Sequence, residues 1–493
     1  MTDAHHIIKQ FGIYMVALSF ISFLLLFVFI GAMSFFKKKK TSQDYLLANQ
    51  SVKPWLVALS AVATNNSGYM FVGQIGFTYL YGLHSIWLMI GWVLGDFVSS
   101  IFVHRRLRAK TEERSVMSFA TLLSQWQGGE FKKLRVICGL ITLIFLGTYA
   151  AAQLNAGSKA LHVMFGWDYA LGAIIGSVIV LSYCFAGGIR ASIWTDAAQS
   201  FVMFAAMSLM VVISLITLGG VPNFIDSLYN VSPDYMALFP DTTFLGSAAL
   251  ASALFVIGWF FAGAGVIGQP HIMIRFMTID DTKNMNRARA YYYGWFISFY
   301  MLTIVTALAA RLLLPEVSSF DAELALPTLA QQLLPDILVG LVIAGLFAAT
   351  MSTADSQILS CTAALTNDLF PKKLSGYKAN KLSTVFITAL ALCIALFGSK
   401  SVFSLVLIAW SALASAFAPL LILYAFKRKV SEYQAIAMVL SGIGGMVLWR
   451  YFDLNNITYE IVPGVLTGFA VYALWGSCKC AASALKKPER QQQ

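Results

Sequence analysis

Apolar residues dominate the chain in runs long enough to cross a bilayer, and charged or turn-forming clusters separate the runs. A helix needs about 20 apolar residues to span the hydrocarbon core. Runs of that kind fall at roughly 12–36, 55–80, 84–104, 134–160, 168–188, 196–218, 246–270, 288–313, 335–367, 380–398, 402–426, 433–451 and 459–478. The pattern predicts an all-α membrane protein with thirteen transmembrane helices, forming one membrane domain over 1–480 and a short basic tail at 481–493. The first run leads into Lys37-Lys-Lys-Lys40 rather than a small-residue cleavage site, so it reads as a retained helix.

Runs 2 and 7 break the pattern. Run 2 contains Ala63-Thr-Asn-Asn-Ser-Gly68, polar at the depth where a spanning helix is most apolar. Run 7 reads Gly258-Trp-Phe-Phe-Ala-Gly-Ala-Gly-Val-Ile-Gly-Gln-Pro-His271, rich in glycine and ending at a proline. In lipid, such irregular backbone survives only where protein or a wet cavity satisfies the freed groups. The two runs stand five apart, the arrangement expected of broken helices in an inverted repeat with a solute site at the break. Close helix packing through small residues is the alternative use of the glycines. Run 9 is polar in its turn. Ala349, Ser352 and Thr353 stand at i, i+3 and i+4, which puts a carbonyl and two hydroxyls on one helix face. Uncharged oxygens suit a small monovalent cation, while the same hydroxyls can instead bond back to their own helix.

Composition agrees with lipid as the solvent: of 493 residues 58% are hydrophobic and 12% charged, and the mean hydropathy is +0.73. The net charge of +11 could point to nucleic acid. Its distribution removes that reading. With the runs alternating in direction, nearly all of the 34 Lys and Arg fall on one face, and the exceptions are Lys9, Lys159, Arg311, Lys400 and Arg450. The long loop 219–245 on the opposite face has no Lys or Arg and carries Asp226, Asp234 and Asp241. The positive-inside rule then places the N-terminus outside and the C-terminus in the cytoplasm of a cell (inner) membrane. The six cysteines lack metal-knuckle spacing. Cys478 and Cys480 read as interfacial residues, with lipid attachment as the alternative.

Ionisable residues inside the runs are candidates for ion or proton handling, because a carboxylate at depth needs a partner. They are Asp96, Asp196 and Asp355, the last two residues beyond Thr353. Asp196 also suits a helix N-cap. No nucleophile elbow or phosphate loop appears, and His5, His6, His84, His104, His162 and His271 are isolated, so the chain is not expected to be an enzyme or to need a cofactor.

Five stretches taken together resemble the sodium/solute symporter family, most closely its sodium/proline branch: Ser42-Gln-Asp-Tyr-Leu46, Ala58-Leu-Ser-Ala61 with Ser67-Gly68, Ala186-Gly-Gly-Ile189 with Trp194-Thr-Asp196, Gly268-Gln-Pro-His271 with Arg275-Phe276, and Met351-Ser-Thr353. The resemblance runs from about residue 41 to the end of run 13. It implies a LeuT-type five-plus-five inverted repeat: a first helix at 12–36, repeat one at about 55–218, repeat two at about 246–426, and two extra helices at 433–478. It implies a sodium site at Ala63, Asn66, Ala349, Ser352 and Thr353. It also implies a second sodium or proton site at Asp196, Ser352, Asp355 and Ser356, although Asp355 replaces a residue that is often Ser. The solute, an amino acid such as proline, would meet Asn65, Ser67 and Gly68 at the break, with Tyr149 and Trp259 as an aromatic pair. Two departures bear on this: Asn65-Asn66 replaces the usual Asp-Met, and run 7 is about three residues longer between Trp259 and Gln269. Sodium and a small solute in a lipid membrane are the implied partners. Proton coupling through Asp355 or Asp196, and a nutrient sensor on the same scaffold, are the alternatives; the oligomeric state stays open.

Overall fold

The structure, a computed structural model, describes residues 2–37, 39–314, 320–398 and 401–485, with side chains described from residue 12 to residue 475. Lys400 and tail residues 486–493 lie outside the described residues, as do the side chains of Lys9, Cys478 and Cys480. The described residues are helical and contain no β-strand beyond isolated bridges.

A helix or broken pair of helices underlies each of the thirteen runs, and we number the helices as the runs. Helix 1 is Thr2–Met33; helix 2 comprises Pro54–Gly68 and Gln74–Tyr81. Helices 3 to 6 are Ile86–Arg114, Lys132–Phe165, Tyr169–Gly187 and Ile189–Thr217. Helix 7 comprises Ala248–Ala264 and Pro270–Met277, and helices 8 to 11 are Met285–Leu313, Asp336–Ala363, Tyr377–Phe397 and Val402–Ala425. Glu432–Tyr451 and Ile461–Leu485 complete the bundle as helices 12 and 13. Among the described residues, 10 stretches are long and apolar enough to cross a membrane. Pro54–Arg114 counts there as one stretch although it holds helices 2 and 3, joined by a short turn at Gly82–Ser85, and helices 12 and 13 fall outside the set.

Helix 9 is the axis of the bundle. It packs against helices 1, 2, 4 and 6, and every residue from Val342 to Cys361 is buried. Its sequence permits this, because Gly340, Gly345 and five alanines between Ala344 and Ala363 let neighbours approach on all sides. Helix 1 instead exposes Leu18, Leu25 and Phe29 on the periphery, as a lipid-facing helix should.

The exceptions in the charge distribution whose side chains are described have partners. Lys159 Nζ lies 2.5 Å from Glu323 and 3.2 Å from Asp321. Arg450 lies 3.0 Å from Glu460, and the Arg311 guanidinium sits 5.7 Å from the ring of Tyr79. Each of these cations is therefore held by an acid or a ring at the acidic-loop end of the bundle.

Helices 3 and 7 meet through glycine. A Cβ added at Gly95 would stand 2.0 Å from the Phe260 carbonyl oxygen, and one at Gly263 would stand 2.0 Å from that of Trp92. Both obstacles are backbone, which cannot turn aside. Gly95→Ala is expected to cost about 1–3 kcal/mol through overpacking, read as a lower unfolding midpoint in detergent. Gly294→Ala, where nothing lies within 4 Å, serves as the neutral control; equal midpoints for the two variants would contradict the close contact.

Candidate functional site

Helix 2 breaks where its sequence turns polar. Ser67 adopts φ 48° and ψ −179°, a conformation that costs a non-glycine residue about 1–3 kcal/mol. Five residues of wider π-helix, Tyr69–Gly73, follow before the regular helix resumes. Two side-chain contacts hold the break. Gln153 Oε1 on helix 4 accepts the Gly68 amide at 2.8 Å, and the Ser67 hydroxyl accepts the Tyr69 amide at 3.0 Å. Gly68 has no room for a side chain: an added Cβ would stand 2.7 Å from Thr350 Cγ2 on helix 9.

Helix 7 breaks in the matching place. Gly265–Gly268 tighten to a 3-10 turn, Gln269 is extended, and Pro270 starts the second half. Trp410 of helix 11 bridges the gap: its indole N–H donates to the Ala262 carbonyl at 3.0 Å, and its own carbonyl accepts from Gln269 Nε2 at 3.0 Å. Both breaks therefore have partners on neighbouring helices, the condition for irregular backbone in lipid.

Helix 9 delivers its hydroxyl face to the first half of helix 2. Ser352 Oγ donates to the Ala63 carbonyl at 3.3 Å, and Thr353 Oγ1 donates to the Thr64 carbonyl at 3.0 Å. Both hydroxyls also reach the Ala349 carbonyl at 3.1 Å, so bonding back to the parent helix and bridging to helix 2 coexist. Five oxygens, from Ala63, Thr64, Ala349, Ser352 and Thr353, thus converge between two helices. Asn66 departs from the expected set: its carbonyl accepts the Tyr69 amide, and Thr64 supplies the oxygen that Thr353 reaches.

Asp196, Asp355 and Ser356 come together as expected, but around a residue the sequence reading cited only as part of a motif. The Arg275 guanidinium, from the second half of helix 7, lies 3.3 Å from Asp196 and 3.3 Å from Asp355. It also contacts the Ser192 hydroxyl at 2.5 Å and that of Ser356. Ser60 donates to Asp196 at 2.6 Å, and Ser192 to Asp355 at 2.7 Å. All three charged side chains are fully buried. The cluster is a buried ion triad with the Arg275 guanidinium between the two carboxylates. A signal existed in the sequence: Arg275 stands on the same helix as Pro270, one turn past the break, at a depth where a cation needs a partner.

Asp96 has a partner as well. Tyr292 on helix 8 donates its hydroxyl to Asp96 at 2.8 Å and accepts from Asn65 Nδ2 at 2.6 Å. Asn65 Oδ1 and both polar side-chain atoms of Asn66 have no hydrogen-bond partner among the described residues, and neither do Gln153 Nε2 and the ring nitrogens of His271. These atoms surround the break, where Tyr149 reaches the Ser67 hydroxyl at 3.5 Å and meets the His271 ring edge-on at 5.5 Å.

Trp259 lies elsewhere, so it does not pair with Tyr149. It stacks on Tyr459 at 5.3 Å and on Trp92 at 6.4 Å, lining a cavity of about 750 Å³ whose rim includes Asp234 and Asp241. The reason is helical rise: Trp259 precedes Gly265 by six residues, about 9 Å along the axis. Phe403 lines the same cavity and stacks on Tyr69 at 5.6 Å, two residues past Ser67. An aromatic layer thus separates the cavity from the break.

Removing Arg275 leaves two buried carboxylates uncompensated. Arg275→Gln is expected to lose about 3–5 kcal/mol, and Asp355→Asn added to it should recover part of the loss; unfolding midpoints in detergent measure both, and an unchanged midpoint for Arg275→Gln would contradict the triad.

The model of the Sodium:solute symporter family matches residues 45–442. The high-affinity proline transporter PutP of Bacillus subtilis (strain 168) is 30% identical over 442 residues, covering 87% of this chain and 92% of that protein. The sodium/proline symporter of Escherichia coli (strain K12) is 28% identical over 470 residues, covering 90% of each. Among solved structures, a Na+-coupled sialic acid symporter in a substrate-bound outward-open state superposes with a TM-score of 0.79 at 18% identity, over 93% of this chain and 96% of that one. Mhp1, a nucleobase-cation-symport-1 family transporter, superposes with a TM-score of 0.60 at 14% identity, over 88% and 95%. The likeness shows a LeuT-type fold, and the relatives are transporters rather than enzymes. The chain belongs to the sodium:solute symporter family, as a multi-pass membrane protein that couples the movement of a small solute to sodium.

Proposed function

We propose that this protein takes up an amino acid, proline or a close relative, with one sodium ion per cycle, by alternating access across thirteen helices with the N-terminus outside. The observation that carries the reading is the convergence of the Ser352 and Thr353 hydroxyls on the Ala63 and Thr64 carbonyls. Sodium at these oxygens ties helix 2 to helix 9 and orders the break, and the two halves of the repeat then rock to release both solutes on the basic side. Arg275 acts as the resident cation at Asp196 and Asp355, which leaves a single travelling ion. One inward charge at 100 mV supplies about 2.3 kcal/mol and a tenfold sodium gradient about 1.4 kcal/mol. Their sum supports accumulation on the order of several hundredfold.

The solute is held at the break. A carboxylate fits the unpartnered side-chain N–H groups of Asn66 and Gln153 beside the break. An amine fits Asn65 Oδ1 and the Asn66 side chain. Tyr149 covers the apolar ring from helix 4, while Trp259 acts earlier, in the cavity through which the solute enters. Proline as the solute rests on the relatives named above; the unpartnered side-chain amide atoms of Asn65, Asn66 and Gln153 support a zwitterion of that size.

The negative potential at the break comes from Asp96. Its carboxylate fixes the Tyr292 hydroxyl, which in turn takes the Asn65 amide and leaves Asn65 Oδ1 facing the site. Asp96 is thus a positioning residue acting through two hydrogen bonds.

Ser352→Ala with Thr353→Ala is expected to raise the sodium concentration for half-maximal uptake at least about tenfold, since each hydroxyl bond to a charge is worth about 1.5–3 kcal/mol. Uptake of labelled proline in proteoliposomes with choline replacing sodium measures it, and unchanged sodium dependence would remove the hydroxyls from the site. Asp96→Asn should raise the same sodium concentration with a smaller effect on maximal rate. Asn65→Asp in that background should bring it back toward the parent value, and failure of this rescue in a well-folded double variant would sink the relay.

A further inference from the structure

A second binding feature lies on the lipid-facing side, away from the break. An apolar groove of about 280 Å³ runs between helices 3, 7, 11 and 13, with Val98, Phe102, Phe261, Ile422 and Phe469 among its walls. At the basic end of the bundle it meets a pocket of about 570 Å³ between the ends of helices 3 and 11. Arg106, Lys110, Arg114, Lys427, Arg428 and Lys429 line that pocket.

The two features join at one contact. Phe102 packs against Phe426 at 5.3 Å, and the Arg106 guanidinium lies over the Phe426 ring at 6.0 Å. Arg106 stands one turn beyond Phe102, and Lys427 follows Phe426 directly. The wall of the groove therefore becomes the wall of the basic pocket without interruption. Charge within the pocket is poorly balanced. Glu113 pairs with Lys110 at 2.6 Å and with Arg114 at 2.9 Å. For Arg106, Lys427, Arg428 and Lys429 no carboxylate lies within ion-pair distance among the described residues, and all four are exposed. Cations gathered this closely repel one another until an anion joins them.

We propose that the groove and pocket together form a site for one anionic phospholipid. The phosphate headgroup lies among Arg106, Lys427 and Lys429, and an acyl chain lies along Phe102, Phe261 and Ile422. A free phosphate would satisfy the pocket and leave the groove unused. A neutral lipid would do the reverse. Only an anionic lipid meets both, with the chain supplying burial in proportion to its length and each Lys or Arg near the surface contributing a roughly fivefold gain in affinity. The site bears on transport because Ala264 and Gly265 also line the groove, at the point where helix 7 tightens into its 3-10 turn. A chain in the groove braces that turn from the lipid side, so the occupied site favours the conformation described here.

The test uses the full-length purified protein in nanodiscs of phosphatidylcholine alone or with phosphatidylglycerol, and in phosphatidylcholine with inorganic phosphate. Phosphatidylglycerol is expected to raise the unfolding midpoint, and native mass spectrometry should show one retained phosphatidylglycerol. The triple variant Lys427→Gln, Arg428→Gln, Lys429→Gln should bind it roughly a hundredfold more weakly, and Val98→Trp, which fills the groove from an exposed position, should also displace it. Uptake in pure phosphatidylcholine should match the parent for both variants, which confirms their folding. The proposal is overturned if phosphatidylglycerol and phosphatidylcholine give the same midpoint, if inorganic phosphate reproduces the whole shift, or if both well-folded variants retain the lipid as the parent does.

Discussion

A helix that breaks inside a bilayer frees backbone groups that no water of the hydrocarbon core can satisfy, and each one left alone costs several kcal/mol. Helices 2 and 7 both break, so the rest of the bundle is arranged to supply partners. Gln153 takes the Gly68 amide, Trp410 spans the gap in helix 7, and Ser352 and Thr353 take carbonyls of helix 2. Helix 9 is central for the same reason. Its small residues allow four neighbours to close around it, and its hydroxyls then reach the one place where backbone oxygens are available to share. On the proposed reading, the ion cage and the solution to a backbone problem are the same set of atoms. An ion bound there would change the stability of the break itself and so prepare a pocket for a second solute.

The buried charges follow a second constraint: each carboxylate at depth is held by hydrogen bonds from another helix. Asp196 and Asp355, on helices 6 and 9, are joined by Arg275 from helix 7, so the triad ties three helices together near the break. Asp96 on helix 3 reaches helix 2 only through Tyr292 of helix 8. In the proposed alternating-access cycle these connections would cross between the two moving halves. A triad that holds one conformation is a natural place for the energy difference between conformations to reside.

Much of this was legible in the sequence. The apolar runs gave the helices, the polar stretch at Thr64 to Gly68 and the glycines before Pro270 marked the breaks, and the i, i+3, i+4 spacing of Ala349, Ser352 and Thr353 gave the hydroxyl face. All of these are local patterns, set by helix periodicity or by what a bilayer tolerates. What escaped reading depends on tertiary geometry. Tyr292 is 196 residues from Asp96 and 227 from Asn65, and nothing in the local sequence of any of the three points to the others. That the Thr64 carbonyl is the one Thr353 reaches is set by how helix 2 packs on helix 9. The length of helix 7 decides that Trp259 lies beside Tyr459 in the neighbouring cavity and not at the break with Tyr149. Arg275 was visible as an ionisable residue near a break, but its partners on helices 6 and 9 came from the fold.

The central claim is that the hydroxyl face of helix 9 and the broken helix 2 share one cation, and that the cation orders the break. Amide hydrogen exchange of the purified protein, followed by mass spectrometry in sodium against choline at equal ionic strength, tests it directly. The account predicts that segments covering residues 63–73 and 348–356 exchange more slowly in sodium, and that this difference disappears in Ser352→Ala with Thr353→Ala. Identical exchange of both segments in sodium and choline, in protein that still carries out sodium-dependent uptake, would contradict it.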